Sequence, residues 1–311
     1  MNIIITGANG FIGRNLIKEF KNYYKIFAIS RFPVEDVSFF CRPSDLFSEK
    51  TLSKLKKFKP THIIHTQGTA HKKLFENLTK KKYKEINENF TEKLFKLSIF
   101  LKVKKFIYTS SLAVHESEGF SNTLINENSA LNGKSSYAMS KINSEEIIKK
   151  LSSESNTSFI ILRPAVIYGK DAPGNILKLY NFVNLFRIFP SKGIKNSRSI
   201  LSINNFISVI KECLINSKAD NSTFLIADTE TISTEKLITY ISEGINKSVK
   251  VFNPRKIFLH IIYKLPIIGK VFKILTKNLV VDSTLIRKKL CWEQPFDQDE
   301  ELKTLFKMQN K

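Results

Sequence analysis

Two groups of residues in this chain have the types and spacing for chemistry. Tyr137 and Lys141 stand four apart in Tyr137-Ala138-Met139-Ser140-Lys141, so on a helix they share a face. A phenol with an ordinary pKa of about 10 is a poor base at neutral pH. A neighbouring ammonium favours the phenolate and lowers that pKa, which makes the pair a general acid/base. The second group is Thr6-Gly7-Ala8-Asn9-Gly10-Phe11-Ile12-Gly13, with glycines at 7, 10 and 13. Such a turn brings backbone N–H groups and a helix N-terminus to a pyrophosphate. Gly7 permits the tight turn, Gly10 the approach of phosphates, and Gly13 the packing of helix on strand. A dinucleotide held beside a tyrosine acid/base points to hydride chemistry at a carbon bearing oxygen.

Neither group is specific alone. Y-x-x-x-K occurs on surface helices, and three glycines occur in ordinary strand-to-helix turns. Their setting raises both. Asn2 to Thr6 reads as a buried strand, and Ile12, Leu16 and Phe20 mark one face of a following helix. A second strand, Lys25 to Ile29, ends at Ser30-Arg31 with no acid before Glu35. An acidic residue near this point bonds a ribose 2′-hydroxyl, whereas an arginine accommodates a 2′-phosphate. Arg31, with Arg14 in reach, therefore leans the cofactor reading from NAD to NADP; the alternative is that both arginines are solvated. Lys105 to Tyr108 forms another apolar strand, followed by Thr109-Ser110-Ser111, and ligands bind at the carboxyl ends of parallel strands.

With these residues in place the chain resembles an extended short-chain dehydrogenase/reductase of the NAD-dependent epimerase/dehydratase family. The resemblance covers nearly the whole sequence and implies a Rossmann-type, doubly wound α/β sheet with a smaller discontinuous substrate region. It implies Ser111, Tyr137 and Lys141 as the catalytic set, with Ser110 as the alternative hydroxyl. Gly7, Gly10, Phe11, Ile12, Gly13 and Arg31 would hold the cofactor, together with Asp45 and Leu46 near the adenine. His62 to Gly68 matches the fourth strand, but Thr66-Gln67-Gly68 departs from the usual alanine pair. Thr66 and Gln67 nevertheless fall beside the cofactor in this alignment. Asn87 and Thr91 match an N-x-x-x-T helix, and Leu162 to Gly169 matches L-R-x-x-x-V-Y-G.

Gly174-Asn175, Arg198-Ser199, Val281-Asp282 and Cys291-Trp292 follow in family order, and on them the second half resembles the branch of UDP-N-acetylhexosamine 4-epimerases and 4-keto-6-deoxyhexosamine reductases of surface-polysaccharide synthesis. By that resemblance Asn175 contacts the substrate diphosphate and Arg198 pairs with a phosphate; a helix cap and a surface residue are the bland alternatives. Trp292 reads as core rather than as a substrate platform. The implied boundaries are 1–167 plus 201–228 for the dinucleotide domain and 168–200 plus 229–311 for the substrate region. A redox-neutral 4-epimerase and a 4-keto reductase use the same three residues. Leu112-Ala113 after Ser111 disfavours a dehydratase, which carries Asp-Glu there. A silent dinucleotide-binding protein is the reading from another class, opposed by the intact catalytic set. The family also implies a homodimer.

At 311 residues the chain can bury a large core. Cys41, Cys213 and Cys291 are odd in number and without metal spacing, as free thiols of a cytoplasmic protein would be. Residue 2 already enters the first strand, leaving no room for a signal peptide. The net charge of +22 admits nucleic acid, anionic membrane or acidic substrate as partner. No nucleic-acid motif appears, and lysine, asparagine, isoleucine and phenylalanine are abundant throughout, as in an AT-rich coding sequence. From Gly244 to Val281 there is no acidic residue. The stretch 255–277 reads either as a basic amphipathic surface for the inner membrane face or as substrate-region helices packed on the core. Lys264, Pro266 and Lys270 break its apolar run short of a membrane span. The sugar substrate would be carried on a nucleotide or on a lipid.

Overall fold

The apolar β-branched runs form the strands of a computed structural model that describes residues 1–68, 79–115, 124–253, 272 and 276–309. Nine short strands and three two-residue strands build the sheets of the described residues in chain order. The first six are β1 (Asn2–Thr6), β2 (Lys25–Ile29), β3 (Phe39–Cys41), β4 (His62–His65), β5 (Lys105–Thr109) and β6 (Ser158–Pro164). Then come β7 (Val166–Tyr168), β8 (Ile188–Phe189), β9 (Arg198–Ser202), β10 (Ser222–Ile226), β11 (Thr231–Ile232) and β12 (Lys250–Val251). Seven of these pair in the order β10-β6-β5-β4-β1-β2-β3, every pairing parallel. The chain winds one way from β1 to β3 and the other way from β4 onward. The switch point therefore lies between β1 and β4, where a crevice opens at the carboxyl ends.

The register aligns those ends. Thr6 pairs with His65, His65 with Tyr108, and Thr109 with Leu162. The residues that follow each strand, Gly7, Thr66, Ser110 and Ala165, consequently meet along one rim.

The described helices are α1 (Phe11–Phe20), α2 (Glu49–Phe58), α3 (Lys80–Tyr83), α4 (Phe90–Phe100) and α5 (Ser136–Ser153). They continue with α6 (Asn175–Phe186), α7 (Ile203–Ile215), α8 (Thr234–Ile245), α9 (Thr284–Leu290) and α10 (Gln298–Gln309). A π turn over Lys84–Asn89 joins α3 to α4. Both faces of the seven-stranded sheet are covered. One core joins Ile3, Ile5, Leu16 and Phe20 to Phe206, Ile210 and Phe224. The other joins Ile4, Phe27 and Ile63 to Leu94, Phe95 and Phe106. Such two-sided burial explains why the strands read as continuous apolar runs rather than alternations.

A third core gathers Tyr168, Leu179, Val183, Phe189, Ile238, Ile241 and Phe306 around α6, α8 and α10. Beside it stand a three-stranded sheet, β11-β9-β7, and the pair β12-β8. Leu279, Val281, Ile286, Leu290 and Trp292 pack into the first core instead. Trp292 is buried there and its indole N–H donates to Ser208. Of the basic stretch 255–277, only Phe272, Thr276 and Lys277 lie among the described residues. Among those residues no helix is long and apolar enough to cross a membrane.

Candidate active site

A cleft of about 520 Å³ opens at the carboxyl rim of the sheet. Gly7, Gly10, Phe11, Ile12, Arg31 and Thr66 line one side, and Ser111, Tyr137 and Lys141 the floor. Pro173, Gly174 and Asn175 line the opposite wall. The strands thus bring two sequence motifs more than a hundred residues apart onto one cavity. Among the described residues, Arg31 and Lys141 are its charged lining residues and no acid lines it.

The glycine turn is shaped by what a side chain would strike. Gly7 adopts φ +66, and a Cβ there would lie 2.9 Å from the Gln67 backbone nitrogen. A Cβ at Gly13 would stand 2.3 Å from the Gly7 carbonyl oxygen, so only glycine lets α1 pack so closely. Gly10 caps α1 with no acid in the first helical turn, leaving amide donors directed at the cleft. Thr66 Oγ1 donates to the Thr6 carbonyl at 2.7 Å and pins the end of β4 to this turn. The cradle and the acid-free lining fit the anionic centre of a dinucleotide.

Tyr137 stands in the first turn of α5, whose N-cap Ser135 accepts from Ala138 N. No acid shares that turn, so the positive helix end favours a phenolate there. Lys141, one turn on, is buried. Its ammonium donates to the Thr109 carbonyl at 2.8 Å and sits 4.5 Å from the Tyr108 ring centre. Burial pushes its pKa down to about 7, with Glu145 pulling the other way. His65 lies fully buried nearby, bonded to Thr6 through Nδ1 and to Thr91 through Nε2. Burial, then the Lys141 charge, holds its pKa well below the ordinary range, so it stays neutral.

Both serines after β5 line the cleft, but their hydroxyls have different partners. Ser111 is half-buried and lines the cleft, its Oγ accepting from Ala113 N. Ser110 Oγ instead donates to the buried carboxylate of Glu145. Arg163 pairs with the same carboxylate and donates to His115 Nε2 at 3.0 Å. His115 must then carry its proton on Nδ1, 3.2 Å from the Ala130 carbonyl. Burial and Arg163 both lower its pKa. This network lies directly beneath the reacting groups. Removing one partner of a buried ion pair costs about 3–5 kcal/mol, whereas an apolar pair of similar volume is tolerated. Arg163→Met is therefore expected to lose that much in urea unfolding, and adding Glu145→Leu to recover most of it. Additive losses in the double variant would contradict a coupled pair.

Other expected residues fall near the cleft without lining it. Asn87 is buried on the π turn and donates to Ser140 Oγ at 2.8 Å. Its Oδ1 and the Lys141 ammonium both lie within 3.6 Å of where a Gly68 Cβ would sit. The Gly68 departure from alanine thus makes room for that pair. Gln67 contributes backbone rather than a lining side chain, donating from its amide to Thr6 Oγ1. Asp45 is exposed beside Ser44, and Leu46 is fully buried under β2. Neither lines the cleft. Arg198 is buried, not a surface residue, and donates to the Lys277 carbonyl. It lines a small adjoining cavity of about 30 Å³ that shares Val166 and Asn175 with the cleft. Gly174, not Asn175, caps α6, so the side chain of Asn175 is not used as a helix cap.

Glu145 and His115 escaped the sequence reading. Glu145 lies four residues after Lys141 on the same helical face, a signal that was available. His115 carries none, because only the fold brings it to Arg163. Among the described residues no cluster of three metal-ligating side chains occurs.

Known proteins of this architecture agree. The family model described as "NAD dependent epimerase/dehydratase family" matches residues 3–182. A UDP-glucose 4-epimerase of Vibrio cholerae is 30% identical, over 94% of this chain and 91% of its own. An N-acetyl-alpha-D-glucosaminyl-diphospho-ditrans,octacis-undecaprenol 4-epimerase of Escherichia coli O157:H7 is 22% identical, over 95% and 87%. In fold, the chain is similar to a UDP-glucuronic acid 4-epimerase from Bacillus cereus solved with UDP-glucuronic acid and NAD. That likeness has a TM-score of 0.76 at 17% identity, over 98% of each chain. With its parallel sheet, glycine cradle and matched sequence, the chain belongs to the NAD-dependent epimerase/dehydratase family and is an enzyme of that family.

Proposed function

We propose that the chain is a sugar 4-epimerase acting on a diphosphate-linked hexose. The observation that carries this reading is that Ser111, Tyr137, Lys141 and the glycine turn share one cleft with Asn175. Gly7, Gly10, Phe11, Ile12, Gly13 and Arg31 hold the dinucleotide, with Thr66 and Asn87 beside it. What the bound dinucleotide supplies is reversible hydride acceptance at a sugar carbon. Tyr137 takes the proton of the 4-hydroxyl and later returns it. Ser111 holds the same oxygen by a hydrogen bond, and the Lys141 ammonium favours the phenolate. Asn175 and Arg198 receive the diphosphate, for which a planar guanidinium is suited. The substrate region runs over 168–200 and 229–311, anchored on the sheet through 279–292.

Arg31 on an acid-free wall supports NADP over NAD, and with it a 4-keto reductase as the second reading. α4 packs against α5, and a homodimer through their outer faces follows from the family. The carrier is either a nucleotide or a polyprenyl diphosphate, the latter reading placing the protein at the inner membrane face through 255–277.

Mass spectrometry of dinucleotide released from the denatured protein, with turnover of UDP-glucose and UDP-N-acetylglucosamine lacking added cofactor, tests the assignment. Retained dinucleotide and conversion to a 4-epimer are expected. No retention and no conversion would transfer the assignment to a reductase drawing on free NADPH.

A further inference from the structure

The apolar surface at the far end of α6 is not used by the cleft. Lys178, Phe182, Leu185 and Phe186 stand at i, i+4, i+7 and i+8, which places them on one helical stripe. Leu185 is 73% exposed and Phe186 57%. The Phe182 and Phe186 rings lie 4.8 Å apart, and Phe182 meets Phe189 edge-on at 5.9 Å. Phe189 in turn contacts Phe272 at 5.7 Å. Ile188 and Phe252 extend the exposed apolar surface across the β8–β12 pair. Clustered exposed aromatics of this kind mark an interaction site rather than scattered surface residues.

The two segments that build this patch carry basic residues and no acidic ones. No acidic residue occurs between Asp171 and Glu212, nor between Glu243 and Asp282. These two acid-free segments are distant in sequence, yet parallel pairing of β8 with β12 joins them at the patch. The bond from Lys192 N to the Phe252 carbonyl ties them again. Arg187, Lys192 and Lys250 are exposed around the aromatic cluster. A protein partner of mixed charge does not require two acid-free stretches to converge. An anionic lipid surface does, since aromatic and leucine side chains enter the headgroup boundary while basic residues meet its charge.

We infer that the α6 C-terminal end and the β8–β12 pair form a docking surface for an anionic lipid bilayer. The inference rests on the reading of this chain as a sugar epimerase only for its purpose, not for its geometry. Asn175 lies at the N-terminal end of the same helix, so the cleft wall stands about 15 Å from Leu185 along the axis. Docking through the patch would hold the cleft at the height of a headgroup-linked sugar diphosphate.

Co-sedimentation of the full chain with vesicles, phosphatidylglycerol-containing or pure phosphatidylcholine, tests this at low and high salt. Binding to the anionic vesicles at low salt, lost at high salt and with neutral lipid, is expected. Leu185→Glu with Phe186→Glu should weaken it at least about tenfold. Lys192→Gln and Lys250→Gln should each weaken it about fivefold. All four positions are exposed, so folding is retained, and soluble UDP-sugar turnover should be unchanged. Absence of wild-type binding, or equal binding by the double glutamate variant, would overturn the inference. A wild-type dimer that the same variant converts to a monomer would assign the face to a second copy. Loss of turnover in the wild type would instead strike the catalytic reading and leave vesicle binding as a separate result.

Discussion

Replacing Tyr137 with phenylalanine should lower kcat about 10²–10⁴-fold while binding of dinucleotide and sugar nucleotide is kept. The variant removes one oxygen from a half-buried ring and leaves α5 capped by Ser135. The glycine turn, Thr66 and Asn175 are untouched, so the ligands retain their cradle. What disappears is the group that exchanges a proton with the sugar hydroxyl. Ser111 cannot replace it, because an aliphatic hydroxyl without a general base does not ionise near neutrality. Ser110 is still less suited, since its Oγ is committed to Glu145. Calorimetric titration beside a turnover assay reads the two effects separately. Near-normal kcat in Tyr137→Phe would remove Tyr137 from the chemistry. Loss of binding together with kcat would make its role structural.

The chain declares its sheet because the strands are buried on both faces. Asn2 to Thr6 and Lys25 to Ile29 are uninterrupted apolar runs, and both form strands at those positions. Gly7 and Gly13 are legible because no other residue tolerates their surroundings, 2.9 Å from a backbone nitrogen and 2.3 Å from a carbonyl oxygen. Tyr137 and Lys141 are legible because helical spacing alone puts them on one face. The difference between Ser110 and Ser111 is not legible. Both residues line the cleft, and only the position of Glu145 decides which hydroxyl is already committed to a partner. The burial of Arg198 is hidden for a similar reason. Its partner, the Lys277 carbonyl, arrives from 79 positions away. The apolar end of α6 is invisible to periodicity, which finds an amphipathic helix but not that its C-terminal turns lack a cover. Convergence of the two acid-free segments requires the β8–β12 pairing, a ladder of two residues each that carries almost no sequence signal.

The site also sets activity against stability, and Lys141→Met exposes the opposition. A buried ammonium is costly, which is why the Lys141 pKa falls to about 7 in the folded chain. In the unfolded chain a lysine holds its proton to about pH 10. Folding therefore expels a proton between roughly pH 7 and 10, and the unfolded state binds more protons throughout that window. The stability of the cofactor-free enzyme should accordingly rise with pH across it. Methionine fills similar space, carries no charge and titrates nowhere. At pH 7 the variant should be more stable than the parent by about 4 kcal/mol, an order-of-magnitude value from the pKa difference. The gain should shrink toward pH 10 and vanish above about pH 11, where the parent lysine is neutral in both states. Turnover should fall at least about 10²-fold, because the Tyr137 phenolate loses its cation. Urea unfolding of the two proteins at several pH values reads the first effect and initial rates the second. A variant no more stable at pH 7, or a difference independent of pH, would mean that Thr109 and Glu145 fully compensate the buried charge. The predicted pattern instead makes Lys141 a residue kept for catalysis at the expense of the fold, as expected where a positive charge is held in an apolar site for use.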